Sequence, residues 1–170
     1  IAKAYIFSNK KYDKTAASGI KIINSDKSES LKGAVVNVQQ TYEGIPIFNA
    51  VSSALIRNNT VSYLSDNFSD VSSVTVSSKK AGITSKAAFD SVLKNLNLKS
   101  SSKYTFEAGK ENSVLTNTVY YQKANQLILA YEVNFEEAES SNYWNVLVNA
   151  ATGEILEKNN LLISCKFDTH

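Results

Sequence analysis

The sequence predicts an α+β protein of two small domains, each an antiparallel sheet with one helix packed on it. Three observations lead to this fold class: alternating strand-like segments, one clearly amphipathic helix, and a Ser/Lys-rich stretch that separates two similar halves. The clearest alternation sets Tyr131, Val133 and Phe135 on one face and Glu132 and Asn134 on the other. Strands with one apolar and one polar face are typical of antiparallel sheets.

The first half carries two strand-like segments and a hairpin. Residues 34–41 and 45–56 alternate in polarity and are rich in β-branched residues, so both are predicted strands. Residues 57–60, Arg-Asn-Asn-Thr, separate the second strand from a short apolar run at 61–64. Since Asn tolerates the positive φ of tight turns, a hairpin is expected there.

One helix is predicted with a clear apolar face, over residues 84–98. Its apolar positions recur at i, i+3, i+4 and i+7: Phe89, Val92, Leu93 and Leu96. Thr84 or Ser85 can cap its first turn, since a hydroxyl oxygen there accepts an otherwise unpaired backbone N–H. A weaker helical pattern covers residues 9–18.

The second half adds three predicted strands, at residues 114–122, 126–136 and 142–150. Residues 151–154, Ala-Thr-Gly-Glu, form a second predicted hairpin turn into Ile155 and Leu156. The Ser/Lys-rich stretch 69–82 lies between the halves and is the expected domain boundary.

Charge and hydropathy exclude several classes of partner. The chain has 18 basic and 16 acidic residues, a net charge of +2, and these charges are interspersed. Nucleic-acid binding requires clustered positive charge, so no nucleic-acid partner is expected. No apolar run approaches the roughly 20 residues that span a bilayer, so no membrane contact is expected. Because the chain contains no Met, we expect it to be part of a longer precursor.

The side chains that catalysis requires are scarce. The chain has one His, His170, and one Cys, Cys165, both near its end. It has no His-Glu-x-x-His, no G-x-S-x-G and no glycine-rich phosphate loop. A zinc site needs about four ligands, and these two residues supply only half of them. The sequence therefore predicts a chain that is not an enzyme and that binds no cofactor or metal.

Two groups of side chains have alternative interpretations. Glu136, Glu137 and Glu139 could form a catalytic carboxylate pair, but a solvated charge run in a turn is far more common. Aromatic residues could line a pocket, although such residues on alternating strands usually pack in a core: Tyr120, Tyr121, Tyr131, Tyr143 and Trp144.

Residues 38–48, VQQTYEGIPIF, resemble the signature of the fungalysin/thermolysin propeptide (FTP) domain. The elements of that signature are all present: Gln40, Tyr42, Gly44, Ile45, Pro46, Ile47 and Phe48. Physically, Gly44 allows an unusual φ, while Pro46 fixes its own φ and withholds a ladder donor. This combination is typical of a tight break between two strands.

Residues 143–157, YWNVLVNAATGEILE, resemble the closing hairpin of the domain known as PepSY. The matching positions include Trp144, Val146, Val148, Thr152, Gly153 and Glu154. Asn149 occupies a position where that pattern commonly has Asp, a change that should leave the turn intact. The predicted helix and the strand at 126–136 follow the order of elements of the same domain.

Together the two patterns resemble the pro-region of a bacterial, secreted, fungalysin-family zinc metalloprotease. The resemblance implies an FTP domain over residues 1–75, a PepSY-like domain over 76–162 and a linker over 163–170. It implies cystatin-like folds, a zymogen whose pro-region acts as intramolecular inhibitor and folding chaperone, and removal of that pro-region by proteolysis. The partner would be the protease's own catalytic domain, which would hold the zinc, and the chain would be a monomer.

Cys165 carries a further hypothesis from that resemblance. A thiolate from the pro-region could occupy the open position of a catalytic zinc and displace the nucleophilic water. The simpler interpretation is a structural Cys near a strand end. Outside the precursor interpretation, the alternative is a free-standing periplasmic or extracellular PepSY-type binding or inhibitor module. With the precursor interpretation we expect the protein to be secreted to the extracellular space through the bacterial periplasm.

Overall fold

The computed structural model describes residues 1–8, 18–98 and 101–162, and it is α+β as the sequence predicts. The chain forms two compact units. The first comprises Ile1–Ser77 with Val119–Ile128, and the second comprises Ser78–Thr118 with Leu129–His170. None of the helices in the described ranges is long and apolar enough to cross a bilayer.

The first unit contains one helix and a sheet whose strands follow each other along the chain. Its elements are α1 (Ala2–Ser8), β1 (Ser18–Ser28), β2 (Gly33–Tyr42), β3 (Ile45–Arg57), β4 (Thr60–Leu64) and β5 (Thr75–Val76). Strands β1 to β4 pair antiparallel, each with the next. The Asn58-Asn59 turn between β3 and β4 has positive φ at both residues, as the predicted hairpin requires.

The core of this unit lies between α1 and the sheet. Ile6 is fully buried and Ala2 nearly so, and they pack with apolar residues on the inner face of the sheet: Val36, Val38 and Ala54. These side chains alternate along β2 and lie beside one another across β2 and β3, since Val36 is paired with Ala54. The alternation in the sequence thus becomes one dry face.

The second unit contains the capped helix and the remaining strands. Its elements are α2 (Ser85–Asn95), a 3₁₀ turn (Ser101–Lys103), the first half of β6 (Val114–Lys123), most of β7 (Gln126–Glu136), then β8 (Tyr143–Asn149) and β9 (Ile155–Asn160). The strands β6, β7, β8 and β9 are neighbours in that order. The β7–β8 and β8–β9 pairs are antiparallel.

Helix α2 packs its predicted apolar face on this sheet. Phe89 is only 1% exposed and lies edge-on to three rings, Tyr104, Phe106 and Phe135, at centroid distances of 5.1, 5.8 and 5.1 Å. Edge-to-face packing is favourable for aromatic rings at these distances. Val92 and Leu93 complete the helix's contribution to the same cluster.

Several local predictions differ from the structure. The helix predicted over 84–98 ends at Asn95 because Leu96 and Asn97 form a closing turn, with Asn97 at φ 55°. Thr84 is its N-cap and accepts from the Ala87 N–H at 3.2 Å. Helix α1 and strand β1 were not predicted, because α1 has only two buried positions and β1 lies exposed at the sheet edge. Apart from Ser18, which begins β1, the weak helix at 9–18 lies outside the described residues.

The sheets are mostly antiparallel, as predicted, and two short parallel pairings add to them. In the first unit, Ile47 of β3 pairs parallel with Tyr120 of β6. The short strand β5 pairs parallel with the first residues of β7, Gln126 and Leu127. Strands β6 and β7 therefore supply the hairpin end, 119–128, that completes the first unit. The sequence pattern contains no signal for such long-range pairing.

Candidate functional site

Gln40, the first residue of the FTP-like motif, holds a loop in place. Its side chain is buried, and its amide Nε2 donates to the Ser69 carbonyl at 2.8 Å. Its Oε1 accepts from the Ser69 N–H at 2.7 Å. One amide thus satisfies both backbone groups of one residue, much as a neighbouring strand would. Gln40 is therefore engaged within the fold and not available to a ligand.

The adjacent Gln39 stabilises an irregularity in β3. Residues 47–50 of that strand lie opposite Gln40 alone, so the strand bulges outward. The Gln39 Nε2 lies 2.8 Å from the Ile47 carbonyl oxygen and 3.2 Å from that of Ala50. These contacts satisfy carbonyls that the bulge removes from the ladder. The bulge begins at Ile47, the residue that pairs with β6.

The next motif residues form a two-residue turn. Glu43 and Gly44 both have positive φ, 48° and 81°, which is the backbone of a type I′ hairpin. A Cβ added at Gly44 would meet nothing within 4 Å, so the requirement for glycine is conformational and not spatial. Pro46 follows at the start of β3, opposite Thr41.

Two aromatic motif residues lie on either side of this turn. The Tyr42 ring stands edge-on to the buried Tyr120 ring, with centroids 5.9 Å apart. Phe48 is half-buried within the bulge. The Tyr42 ring thus serves packing in the first unit.

In the PepSY-like motif, Trp144 is anchored by a carboxylate. Its indole N–H donates to Glu137 Oε2 at 3.1 Å, and the Asn142 amide donates to the same oxygen at 2.9 Å. The hydrogen bonds from Asn142 and Trp144 favour the ionised form and lower the pKa of Glu137 below its ordinary value of 4.5. This carboxylate fixes the turn between β7 and β8.

The turn that follows β8 is held by short side chains. Asn149 Oδ1 accepts from the Ala151 and Thr152 N–H groups at 2.9 and 3.3 Å. Thr152 Oγ1 in turn accepts from the Glu154 N–H at 3.3 Å. An amide oxygen does here what an Asp carboxylate would do, so the turn is intact with Asn. The Glu154 side chain is exposed.

Gly153 is constrained in a way that Gly44 is not. Its φ is 80°, and a Cβ placed on it would lie 3.1 Å from Ser91 Oγ on α2. Glycine here allows both the turn conformation and the close approach of the turn to the helix. Every motif residue named from the sequence therefore lies in a turn, a bulge or a packed face.

The residues with ligand chemistry are not brought together. Cys165 and His170 lie outside the described residues. Across the described ranges, no group of three or more His, Cys, Asp or Glu side chains is arranged to hold a metal ion. The structure places no zinc ligand set in this part of the chain.

The three glutamates that could have formed a carboxylate pair are separated by their partners. Glu139 forms an ion pair with Lys103, and Glu137 accepts from Asn142 and Trp144. Glu136 is exposed at the end of β7. The interpretation as surface charges is thus closer to the structure than a catalytic dyad.

The five aromatic residues also divide among separate environments. Tyr120 is buried in the first unit, and Tyr121 is half-buried. In the second unit, the Tyr131 hydroxyl donates to the Ile83 carbonyl at 3.0 Å, and Trp144 packs on the core. Only Tyr143 combines exposure with a position at the rim of a groove.

That groove, which we call the β7-end groove, has a volume of about 340 Å³ and lies in the second unit. Its walls are the loop before β6, the start of β6, the end of β7 and the start of β8. The lining residues are Lys110, Glu111, Asn112, Ser113, Leu115, Glu136, Glu137, Ala138, Ser140 and Tyr143. Three carboxylates and one ammonium make it locally acidic.

A second groove of about 340 Å³ lies over the aromatic cluster. Phe89, Tyr104 and Phe106 form its floor. Lys86 and Asp90 on α2 contribute opposite charges, so this groove has no net charge.

Sequence reasoning did not identify a polar ladder on the outer face of the second sheet. Asn145 Nδ2 lies 2.9 Å from Glu132 Oε1 and 2.8 Å from Asn134 Oδ1. Asn117 Nδ2 lies 3.3 Å from Glu132 Oε2. The polar positions were recognised along each strand, but the cross-strand register that joins them was not.

Comparisons with known proteins give structural likenesses and no family. No protein-family model matches the sequence. The C-terminal domain of YpeB from Bacillus megaterium aligns with 88% of this chain at 17% identity and a TM-score of 0.41, and the chain spans 59% of its length. A candidate lipoprotein of Clostridium difficile 630 aligns with 92% of this chain and over 89% of its own, at 12% identity and a TM-score of 0.32.

Proposed function

We propose that this chain is a PepSY-type binding or inhibitor module that recognises a protein partner outside the cytoplasm and catalyses no reaction. The support comes from where the motif side chains are used. The amides of Gln39 and Gln40 bind backbone groups of the chain itself, and so does Asn149. Among the described residues, no metal-ligating cluster is assembled.

The free-standing form of this module is the first proposal. A saturable protein partner is the central expectation. Chemical cross-linking of the tagged chain in the extracytoplasmic fraction, followed by titration calorimetry with the partner it yields, would test this. Cell fractionation of the same strain tests the location.

A matched control keeps that experiment specific. The Gln40→Ala variant removes both bonds to Ser69 and should loosen the first unit, whereas Gln126→Ala alters an exposed amide. Partner capture should be unchanged with Gln126→Ala. It should weaken with Gln40→Ala if the partner binds the first unit. Absence of any saturable partner for the unaltered chain contradicts the binding module.

A second candidate is the pro-region of a secreted zinc metallopeptidase, favoured by the resemblance of residues 38–48 to the FTP signature. In this form the module inhibits the catalytic domain, assists its folding and is removed by proteolysis. A prefolded surface that binds the folded protease stabilises it through mass action. Zinc would belong to the catalytic domain.

The two forms can be separated directly. A His-Glu-x-x-His motif encoded downstream in the same reading frame, together with inhibition of the mature protease by this chain at micromolar levels, supports the pro-region. A stop codon soon after His170 supports the free-standing form. Within the precursor, Cys165→Ser tests the thiolate hypothesis: unchanged latency removes it, and early activity supports it.

A further inference from the structure

The β7-end groove combines two apolar walls with a carboxylate between them. Leu115 is 45% exposed on one side, and Tyr143 is 38% exposed on the other. Tyr143 lies directly opposite Glu136 in the antiparallel ladder, so the ring and the carboxylate are nearest neighbours on one face of the sheet. An apolar stem can therefore lie along the walls while its polar end meets Glu136.

The groove is negative within a chain that is positive. Glu111, Glu136 and Glu137 contribute three carboxylates, and Lys110 contributes the single cation, which leaves two negative charges in excess. The whole chain carries +2. No side chain within residues 1–8, 18–98 and 101–162 donates a hydrogen bond to Glu136, so its oxygens are available.

Both loops that form the groove are held in a defined shape. On one side, Thr105 N–H donates to the Asn112 carbonyl at 3.2 Å, and Val114 N–H donates to Thr105 at 2.7 Å. On the other, Glu137 N–H donates to the Asn142 carbonyl at 2.9 Å, and the Ala138 N–H donates to the Tyr104 hydroxyl at 3.2 Å. A groove with prearranged walls loses little entropy when a side chain enters.

We propose that the β7-end groove binds an arginine side chain of the protein partner, with its guanidinium on Glu136 and its flat face against the Tyr143 ring. Arginine combines an apolar stem, a planar cation that stacks on aromatic rings and a fork that matches a carboxylate. The aromatic groove over α2 has no net charge and specifies no such occupant. This inference rests on the proposed binding function and names the chemistry of one contact.

Trp144 provides a built-in reporter for the test. It is the only Trp, and its indole N–H donates to Glu137, a residue that lines the groove. The full chain, labelled with ¹⁵N, is titrated with an acetylated and amidated Ala-Arg-Ala peptide while the indole resonance is followed. The matched peptide carries citrulline, which has the same shape without the charge.

The arginine peptide should shift the indole resonance with a Kd of about 1–10 mM, at the weak end of the affinity scale. Glu136→Gln should weaken binding about threefold or more at low salt, and Tyr143→Leu about twofold or more. Glu154→Gln, an exposed carboxylate in the turn after β8, is the matched control and should leave the Kd unchanged.

Three outcomes overturn the inference. These are equal shifts with the citrulline peptide, equal Kd values for Glu136→Gln and Glu154→Gln, and no shift at a peptide concentration of about 50 mM, fivefold the upper expected Kd. The peptide test uses no partner, so its failure leaves the binding function standing. Conversely, if no partner exists but the arginine peptide binds through Glu136, the binding function fails and the groove chemistry stands.

Discussion

The two hairpins that carry the family-like motifs are held by different means. In the first unit, side-chain amides replace missing backbone partners: the buried Gln40 binds Ser69, and the half-buried Gln39 binds the bulge in β3. In the second unit, Asn149 and Thr152 hold the exposed turn after β8 by hydrogen bonds, and α2 adds Phe89 to an aromatic cluster on the sheet. Side-chain hydrogen bonds thus hold both hairpins, but they reach a distant loop in the first unit, whereas in the second they stay within the turn and a packed helix supports it.

The largest effect is expected where burial dominates. Phe89→Ala removes a ring that is 1% exposed and contacts three other rings, so the second unit should lose about 3–5 kcal/mol of stability. Urea unfolding followed by Trp144 fluorescence measures it. Leu161→Ala, which removes a side chain of the same unit that is 52% exposed, is the control and should cost less than about 0.5 kcal/mol. Equal losses would contradict the dominance of the α2 core.

In the first unit, Gln40→Ala should cost about 2–3 kcal/mol, because the Ser69 N–H and carbonyl lose their partners. Native-state hydrogen exchange is the suitable measurement, since Trp144 belongs to the other unit. Protection should fall in β2 and in the segment around Ser69 while α2 keeps its own. An equal loss of hydrogen-exchange protection in both units would show that the Gln40 side chain does not stabilise the first unit alone.

The two turn glycines should respond to different degrees. Gly44→Ala should cost about 1–2 kcal/mol, from the positive φ alone. Gly153→Ala should cost more, because the new methyl group also lies 3.1 Å from Ser91 Oγ. Adding Ser91→Ala should recover part of the Gly153→Ala loss and none of the Gly44→Ala loss. Thermal unfolding measures the loss of stability in each variant. Equal losses for Gly44→Ala and Gly153→Ala, with no recovery on adding Ser91→Ala, would contradict a steric contribution at Gly153.

The smallest effect concerns pH. The pKa of Glu137 is lowered in the folded chain, so its contribution to stability is fully present above the ordinary value of 4.5 and is lost as the pH falls through the lower folded pKa. Glu137→Gln should therefore destabilise slightly at pH 7 and approach the unaltered chain at low pH. The urea midpoints of the unaltered chain and of Glu137→Gln, measured from pH 7 down to acid pH, test this prediction. A difference between the two midpoints that grows as the pH falls would contradict it.

Local pattern was enough to predict most of the strands and the capped helix. Alternation of apolar and polar residues predicted β2, β3, β7 and β8 within a few residues. Of the two expected N-caps, Thr84 and Ser85, the structure has Thr84 at the start of α2. Strand β1 was not predicted, because most of its residues are exposed and its sequence shows no alternation of buried and exposed positions. Helix α1 was not predicted, because a helix of seven residues with only two buried positions gives too weak a helical periodicity.

The candidate site was less accessible from sequence than the fold. Glu136 and Tyr143 were each noticed, but their pairing depends on the β7–β8 register, which a single sequence does not specify. Leu115 belongs to a different hairpin and gave no signal of its own. Grooves arise from side chains on several strands and loops, so their prediction requires the tertiary arrangement first.

The hairpin end 119–128 has a consequence for synthesis on the ribosome. The first unit needs these residues to pair with Ile47 and with β5, yet they are translated about forty residues after Ser77, at a rate of roughly 5–20 residues per second. During translation, Ile47 of β3 and strand β5 therefore remain without their β6 and β7 partners for several seconds. A fragment that stops at residue 77 would reproduce this waiting state and not the finished unit.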